Sequence, residues 1–509
     1  MRLRRIGLRR PAELVLAAAL GALQTLAFVH TGTGWLLQLA AVAWLAWRVL
    51  GDSTPRRAAG LGLAFASAWS AAGTWWLFIS MHRYGGLAAP LAVAAVLLLS
   101  LALALYFALA LAAVARGRRG RPLPDALLFA LAWLAAELAR GLVFTGFPWV
   151  ASGYAHVDSP LAGWAPWIGV YGLGALLAFT AALVAGLARD TRRAGIALAA
   201  TVALAWLLPL GLARIDFTQA SASLQVRLLQ TNVAQDEKFV LQHLPATLGW
   251  LASTLKASDG DLVVAPETAV PLLPEQLDAL DPDYWPSLRE HFAQPGRPAA
   301  LLGVPLGDER DGYSNAVVGL SAGGAAVYRY DKSHLVPFGE FIPTGFRWFT
   351  DLMNIPLGDF MRGRPDAPSF SVRGERIGPN ICYEDLFGEE LALRFTNPAE
   401  APTVLANVSN IGWFGDTIAV EQHLHISRMR SLELQRPMLR ATNTGATAVI
   451  DHRGRVTASL PPFTRGVLAA EVQGRHGRTP YAAWVGATGL WPLLVLAWLL
   501  LLLVARRRR

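Results

Sequence analysis

Apolar stretches about 20 residues long crowd the first part of the chain, at about 12–30, 34–50, 59–80, 87–115, 124–144, 161–188 and 195–213, and another runs over 484–505. A run of that length crosses hydrocarbon as a helix, because backbone removed from water must satisfy its own N–H and C=O groups. The first stretch reads as a retained helix rather than a secretion signal, since no small-residue cleavage site follows it and further spans come at once. With 54% hydrophobic and only 16% charged residues, the chain reads as a membrane protein rather than an ordinary soluble one.

The formal charge of +9 has the same origin. "MRLRRIGLRR", "RVLGDSTPRR", "ARGRRGR", "ARDTRR" and "ARRRR" sit beside apolar runs and belong on the cytoplasmic side by the positive-inside rule. This clustering argues against nucleic-acid binding, which calls for one basic, aromatic-interleaved surface. The alternate loops, "VHTGTG" and "GFPWVASGYAHVDSP", are poor in Lys and Arg and fall outside. Eight spans then leave both termini cytoplasmic and the long segment before the last span on the outer face, in the periplasm of a two-membrane bacterium.

The expected organisation is a bundle of about seven helices over 1–215, a soluble domain over 220–480 and a C-terminal transmembrane helix over 484–505. In the soluble segment, "LQVRLLQTN", "DLVVAPE", "AALLGVPLG", "NAVVGLS", "AAVYRY", "RIGPNIC" and "TVLANVSN" read as strands, and "TAVIDHRGRV" as a hairpin. "LPATLGWLASTLKAS" and "EQHLHISRMRSLELQ" have helical spacing. Interleaved strands and helices over this length predict an α/β sandwich with its own core.

Several of these strands end in a reactive side chain, where open α/β sheets assemble their sites. Glu267 follows "DLVVAP", Lys332 follows "AVYRYD", and Cys382, the single cysteine, follows "RIGPNI". One cysteine permits no internal disulfide and no zinc site built mainly from thiolates. The three side chains form a consistent set: a carboxylate to take the thiol proton, an ammonium to favour the thiolate and hold an oxyanion, and a nucleophile. The turn after Cys382 adds the Tyr383 N–H as a second oxyanion donor.

The soluble segment resembles the nitrilase, or carbon–nitrogen hydrolase, superfamily, and the whole chain is similar to the apolipoprotein N-acyltransferases. The words that carry the resemblance are "FTGFPW", "APETAVP", "HLVPFGEF", "ICYEDLF", "SNIGWFGD" and "LRATNTG". The resemblance implies a multi-span α-helical membrane bundle plus an αββα sandwich, with Glu267 as general base, Lys332 as oxyanion cation and Cys382 as nucleophile. It also implies supporting roles for Glu340, Tyr383 and Glu384, whose other readings are a loop-capping carboxylate, a packed ring and first-turn helix stabilisation. The implied substrates are a phospholipid acyl donor and a diacylglyceryl apolipoprotein acceptor at the bacterial inner membrane, with no cofactor and no metal. A membrane-tethered amidase hydrolysing a small amide is the competing enzyme, and a noncatalytic assembly or transport protein the competing non-enzyme.

Phe239 stands where members of the family often have Trp, and an apolar lid over an acyl chain would tolerate it. Trp413 is a second candidate for that wall, with a core aromatic as its other reading. Asn315 is a candidate for orienting the site or for stabilising a turn. His423 and His425 are two apart, which puts them on different helix faces and argues against a metal site. His334 has no part in the set, and "SAGGAA" reads as a turn. Arg140, with Glu137, is read as snorkelling to headgroups or as a structural ion pair. "MHRYGG" and "GFPWVASGYAHVDSP" are expected portal loops, and 343–360 an expected lid or packed loop.

Overall fold

The computed structural model describes residues 10–51, 53–187, 192–323, 327–347 and 359–505. Most of the first Arg cluster, parts of "ARDTRR", "SAGGAA" and the terminal Arg run, and most of the expected lid lie outside them. The chain divides into two compact units. One gathers the residues up to Phe78, Ala89–Ile215 and those from Leu490; the other gathers Ile79–Ala88 and Asp216–Gly489.

The first unit is helical: Arg10–Leu23, Thr31–Leu50, Pro55–Gly73, Ala89–Gly117, Pro122–Leu142, Ala165–Leu187 and Arg192–Leu212, then Trp491–Ala505. Among the described residues six helices are long and apolar enough to cross a membrane, not the expected eight. Pro55–Gly73, at the third expected span, falls short because Arg56, Arg57 and several Gly and Ser residues dilute it. The last expected span is two helices, Pro480–Thr488 and Trp491–Val504, bent by 78° at Gly489 (φ 58°), and counts as a seventh if the pair is one span. Pro55–Gly73 is nonetheless gripped closely: a Cβ added at Gly21 would meet Phe65 O at 2.0 Å, and one at Gly62 would meet Phe107 O at 2.9 Å. Such close backbone approach is how small residues join helices where no hydrophobic effect acts between them.

Arg140 does not snorkel. Its side chain is 1% exposed, 3.3 Å from the fully buried Glu137, and its guanidinium lies 4.8 Å over the Trp69 ring. Glu137 in turn accepts from Ser152 N–H and Oγ at 3.2 and 2.7 Å. The pair is structural, a buried charge compensated by a partner, a ring face and local dipoles.

The second unit is the αββα sandwich. Its strands are β1 (Thr218–Gln230), β2 (Leu262–Val264), β3 (Ala299–Asp308), β4 (Gly312–Leu320), β5 (Tyr328–Asp331), β6 (Phe370–Val372), β7 (Glu375–Ile381), β8 (Val404–Ser409), β9 (Met438–Thr442), β10 (Ala448–Ile450), β11 (Val456–Ser459) and β12 (Gly466–Gly477). They form two sheets of six, ordered β12-β1-β2-β3-β4-β5 and β11-β10-β9-β8-β7-β6. Strand period 2 builds the layers. Val226, Leu228, Leu262, Val264, Leu301 and Val317 of one sheet meet Ile377, Ile381, Ala406, Val408 and Leu439 of the other. The intervening Leu229, Val263, Ala300 and Leu302 face outward onto the helices Leu244–Ala257 and Tyr284–Ala293. Leu405, Met438 and Ile450 do the same on the far side, under Leu434, Phe395 and Tyr481. Every strand run expected from the sequence overlaps a strand. β6, β9 and β12 were not expected, and β12 matters most, since it pairs with nearly the whole of β1.

Candidate active site

The first sheet delivers the charged groups. β2 ends at Val264 and the chain turns through Ala265 and Pro266 to Glu267, with Thr268 at φ 47°. That is a costly conformation for a β-branched residue. Gly303 on β3 makes room for the turn: a Cβ there would lie 2.3 Å from Pro266 O and 2.6 Å from Glu267 Cα. Lys332 is the first residue after β5, and its N–H donates to Asn315 O on β4 at 2.8 Å. Glu340 closes a turn in which Val336 N–H donates to its Oε2 at 2.8 Å.

These side chains converge. Lys332 Nζ donates to Glu340 Oε1 at 2.8 Å and to Glu267 Oε1 at 3.4 Å. Asn315 Nδ2 donates to the same two oxygens, at 2.7 Å for Glu267 and 2.8 Å for Glu340. Asn410 N–H donates to Glu267 Oε2 at 2.8 Å. Lys332 is 1% exposed. Buried ions on this scale survive only by compensating one another. Burial alone would push the Glu267 carboxyl up, but Lys332, Asn315, Lys238 and the Asn410 N–H together hold it below its ordinary value. Burial alone would lower Lys332, and Glu340, Glu267 and the thiol together push it well above its ordinary value.

The second sheet delivers the cysteine. β7 ends at Ile381, and Cys382, at φ 52°, starts a single helical turn to Leu386. The cysteine is partly buried against the inter-sheet core. Burial and then Glu267 push its thiol well up; Glu340 adds to this, and Lys332 and the Asn410 N–H pull the other way without prevailing. Lys332 does favour the thiolate, as expected, but it is outweighed at rest. Two carboxylates and desolvation outweigh the pull of the ammonium, so the resting thiol is neutral beside an ionised Glu267.

Glu384 is a brace. Its carboxylate accepts from Ser333 N (2.6 Å), Ser333 Oγ (2.6 Å), His334 N (3.2 Å), Ile381 N (2.6 Å) and Tyr330 OH (2.8 Å). It ties the segment after Lys332 to the residue before Cys382. Tyr383 is buried, its ring 5.7 Å from His334 and 5.3 Å from Phe387. His334 stacks on Phe387 and meets Glu390 at 2.8 Å, outside the reacting groups. Phe239 is 48% exposed, and half-buried Trp413 meets Tyr84 edge-on at 5.7 Å. Tyr84 belongs to the expected portal loop "MHRYGG", which groups with this unit and is tied to it again by Arg83 and Asp236 at 3.1 Å.

Sequence reasoning missed Lys238, Asn410, Asn407 and Arg440. Lys238 is 5% exposed and its Nζ donates to Glu267 O at 3.1 Å and Thr268 Oγ1 at 3.2 Å, clamping the strained turn. Burial lowers it to about 8 against the raising influence of Glu267 and Cys382. In "QDEKF" it reads as one more solvated charge, and no sequence signal marks it as buried. His423 and His425 do point apart: His423 lies against Arg440, and His425 Nδ1 is 3.2 Å from Arg428.

Residues 20–183 match the family described as Apolipoprotein N-acyltransferase N-terminal domain, and residues 222–481 match Carbon-nitrogen hydrolase. A relative described as "Apolipoprotein N-acyltransferase" from Verminephrobacter eiseniae is 52% identical, over 90% of this chain and 89% of its own. One of the same description from Ralstonia nicotianae is 47% identical over 97% and 93%. Another, from Pseudomonas putida, is 38% identical over 96% and 95%.

Proposed function

The chain belongs to the apolipoprotein N-acyltransferase family, and from that premise we propose that it carries a phospholipid acyl chain on Cys382 and delivers it to the α-amine of an apolipoprotein. The donor is the sn-1 ester of a membrane phospholipid, and the acceptor is the N-terminal diacylglyceryl-cysteine. Glu267 takes the thiol proton as Sγ bonds to the ester carbonyl carbon, while Lys332 Nζ and the Tyr383 N–H receive the oxyanion. Collapse breaks the acyl C–O bond, and the proton on Glu267 passes to the departing glycerol oxygen. In the second half the amine attacks the thioester, Glu267 takes the amine proton, the C–S bond breaks, and that proton returns to sulfur.

The observation that carries this reading is Lys332 Nζ held between Glu340 Oε1 and Glu267 Oε1, with the other oxygen of Glu267 fixed by the Asn410 N–H. Glu340 keeps Lys332 charged and aimed, Asn315 spaces the two carboxylates, and Glu384 locks the Lys332 and Cys382 segments together. Phe239 and Trp413 supply apolar wall for the acyl chain, where ring area counts and an indole N–H is dispensable.

The protein is multi-pass, and in this reading 1–215 and 484–505 are its membrane part and 220–480 its catalytic domain. The Arg clusters support cytoplasmic termini and a periplasmic site at a bacterial inner membrane. Purified protein given phospholipid labelled in the sn-1 chain and a diacylglyceryl lipopeptide should yield labelled N-acyl lipopeptide and lysophospholipid. Free labelled fatty acid, released equally fast with or without the lipopeptide, would instead mark a hydrolase and sink the transfer reading.

A further inference from the structure

The carbonyl of Cys382 is held on the side of the sheet away from the inter-sheet core. Asn380, Asn407 and Arg440 stand in register across β7, β8 and β9 and form a polar row, while their neighbours Ile381, Val408 and Leu439 fill the core. Asn407 Nδ2 donates to Asn380 Oδ1 at 2.6 Å and to Cys382 O at 3.3 Å. His423, fully buried on the helix Ala419–Leu434, brings Nε2 to 3.3 Å from the same carbonyl.

Its tautomer follows from its other neighbour. Arg440 Nη2 is 2.7 Å from His423 Nδ1, and a guanidinium has only donors, so Nδ1 is the acceptor and Nε2 carries the hydrogen. Burial, and then the Arg440 charge, keep this imidazole neutral by pushing it well below its ordinary value. Arg440 is itself fixed: Nη1 donates to Ser427 Oγ at 2.6 Å, Nε donates to Ala446 O at 3.0 Å, and Asp385 Oδ2 lies 3.7 Å away and accepts from Ser427 Oγ.

A trans peptide is planar, with its carbonyl oxygen and N–H on opposite sides. Holding Cys382 O therefore sets the direction of Tyr383 N–H, and hydrogen bonds to the oxygen polarise the amide and strengthen its donor. We propose that His423, locked in one tautomer by Arg440, Ser427 and Asp385, acts with Asn407 to clamp the Cys382–Tyr383 peptide so that the Tyr383 N–H faces the oxyanion of each half-reaction. Both are positioning residues, and the clamp rests on the acyl-enzyme reading above. It also gives a reason for the left-handed backbone at Cys382: the strained φ lets the thiol face the charged groups while its carbonyl faces the clamp.

The test compares two reactions of one sulfur in the full-length enzyme in detergent micelles. Acylation by phospholipid passes through an oxyanion; alkylation by iodoacetamide does not. His423→Leu should slow acylation roughly 10- to 100-fold, less than the roughly 100- to 1,000-fold for an oxyanion donor removed outright because the N–H is misaimed rather than lost, and leave alkylation nearly unchanged. His423→Gln, which keeps an N–H donor, should recover most of the loss. Should the leucine variant not fold, the isosteric Asn407→Asp, which sets an acceptor against the carbonyl, should show the same selective loss. Equal losses in both reactions, or none in either, overturn the clamp while leaving the acyl-enzyme standing. Absence of acylation in the wild type removes the acyl-enzyme and the clamp together.

Discussion

The two sheets contribute unlike halves to the site. From the first come ions: Glu267 and Glu340, each within 3.4 Å of Lys332 Nζ, with Lys238 behind the Glu267 turn. From the second comes an uncharged thiol whose peptide is held by neutral donors, with the ions Asp385 and Arg440 set one layer back. One half shapes the electric field, the other the geometry. Each half holds its reactive residue at or beside a left-handed non-glycine residue, Thr268 or Cys382, and steadies it with a buried side chain from a distant segment, Lys238 or His423. Damage to the first half should therefore show in charge-sensitive readouts, damage to the second in orientation-sensitive ones.

The largest effects erase the contrast altogether. Cys382→Ala and Lys332→Met should each lower lipopeptide N-acylation by roughly 1,000-fold or more, since they remove the proposed acyl carrier and the proposed oxyanion cation. Next comes Glu340→Gln, expected to cost on the order of 100-fold in turnover. Because Glu340 raises the Cys382 thiol and Lys332 lowers it, removing the carboxylate leaves the ammonium less opposed. The pH profile of iodoacetamide alkylation should then move to lower pH; a move to higher pH would show that Glu340 acts on geometry instead.

Lys238→Met should cost less, about 10-fold, by loosening the turn under Glu267. With Lys238 lowered to about 8, wild-type turnover should lose an increment as pH rises through 8, and the variant should lack that increment. The smallest effect belongs to the second half. Burial pushes Asp385 up to about 6, against Arg440, Ser427 and Arg430, while an unfolded aspartate titrates near 3.9. The folded state thus binds more proton between those values, and stability falls as pH rises from about 4 to 6. Melting temperatures of Asp385→Asn and wild type over that interval should shift in favour of the variant and level off above it.

The strand ends that carry Glu267, Lys332 and Cys382 were legible because period-2 apolar runs stop just before them, a pattern that needs no partner strand to be seen. Glu340 was legible only through the resemblance, since a turn glutamate three residues past a Val-Pro looks like any other. The helix Ala419–Leu434 was legible by its spacing but not its part in the site: Arg428, Arg430, Glu433 and both histidines are buried in it, and side chains of that kind give no sequence sign of an internal helix. β9 was obscured in the same way by Arg440 at its centre, and β12 by its glycines and charges. The third expected span illustrates the converse, for Pro55–Gly73 is too dilute to pass as a membrane segment yet is fixed by glycine contacts that hydropathy does not register.

The central claim is that the acyl chain travels on Cys382. Enzyme given labelled phospholipid alone, quenched in acid and digested, should carry a hydroxylamine-sensitive acyl group on the peptide containing Cys382, and lipopeptide added before the quench should remove it as N-acyl product appears. Acylated lipopeptide accumulating while Cys382 bears no acyl group at any time would contradict the account and require direct transfer from lipid to amine.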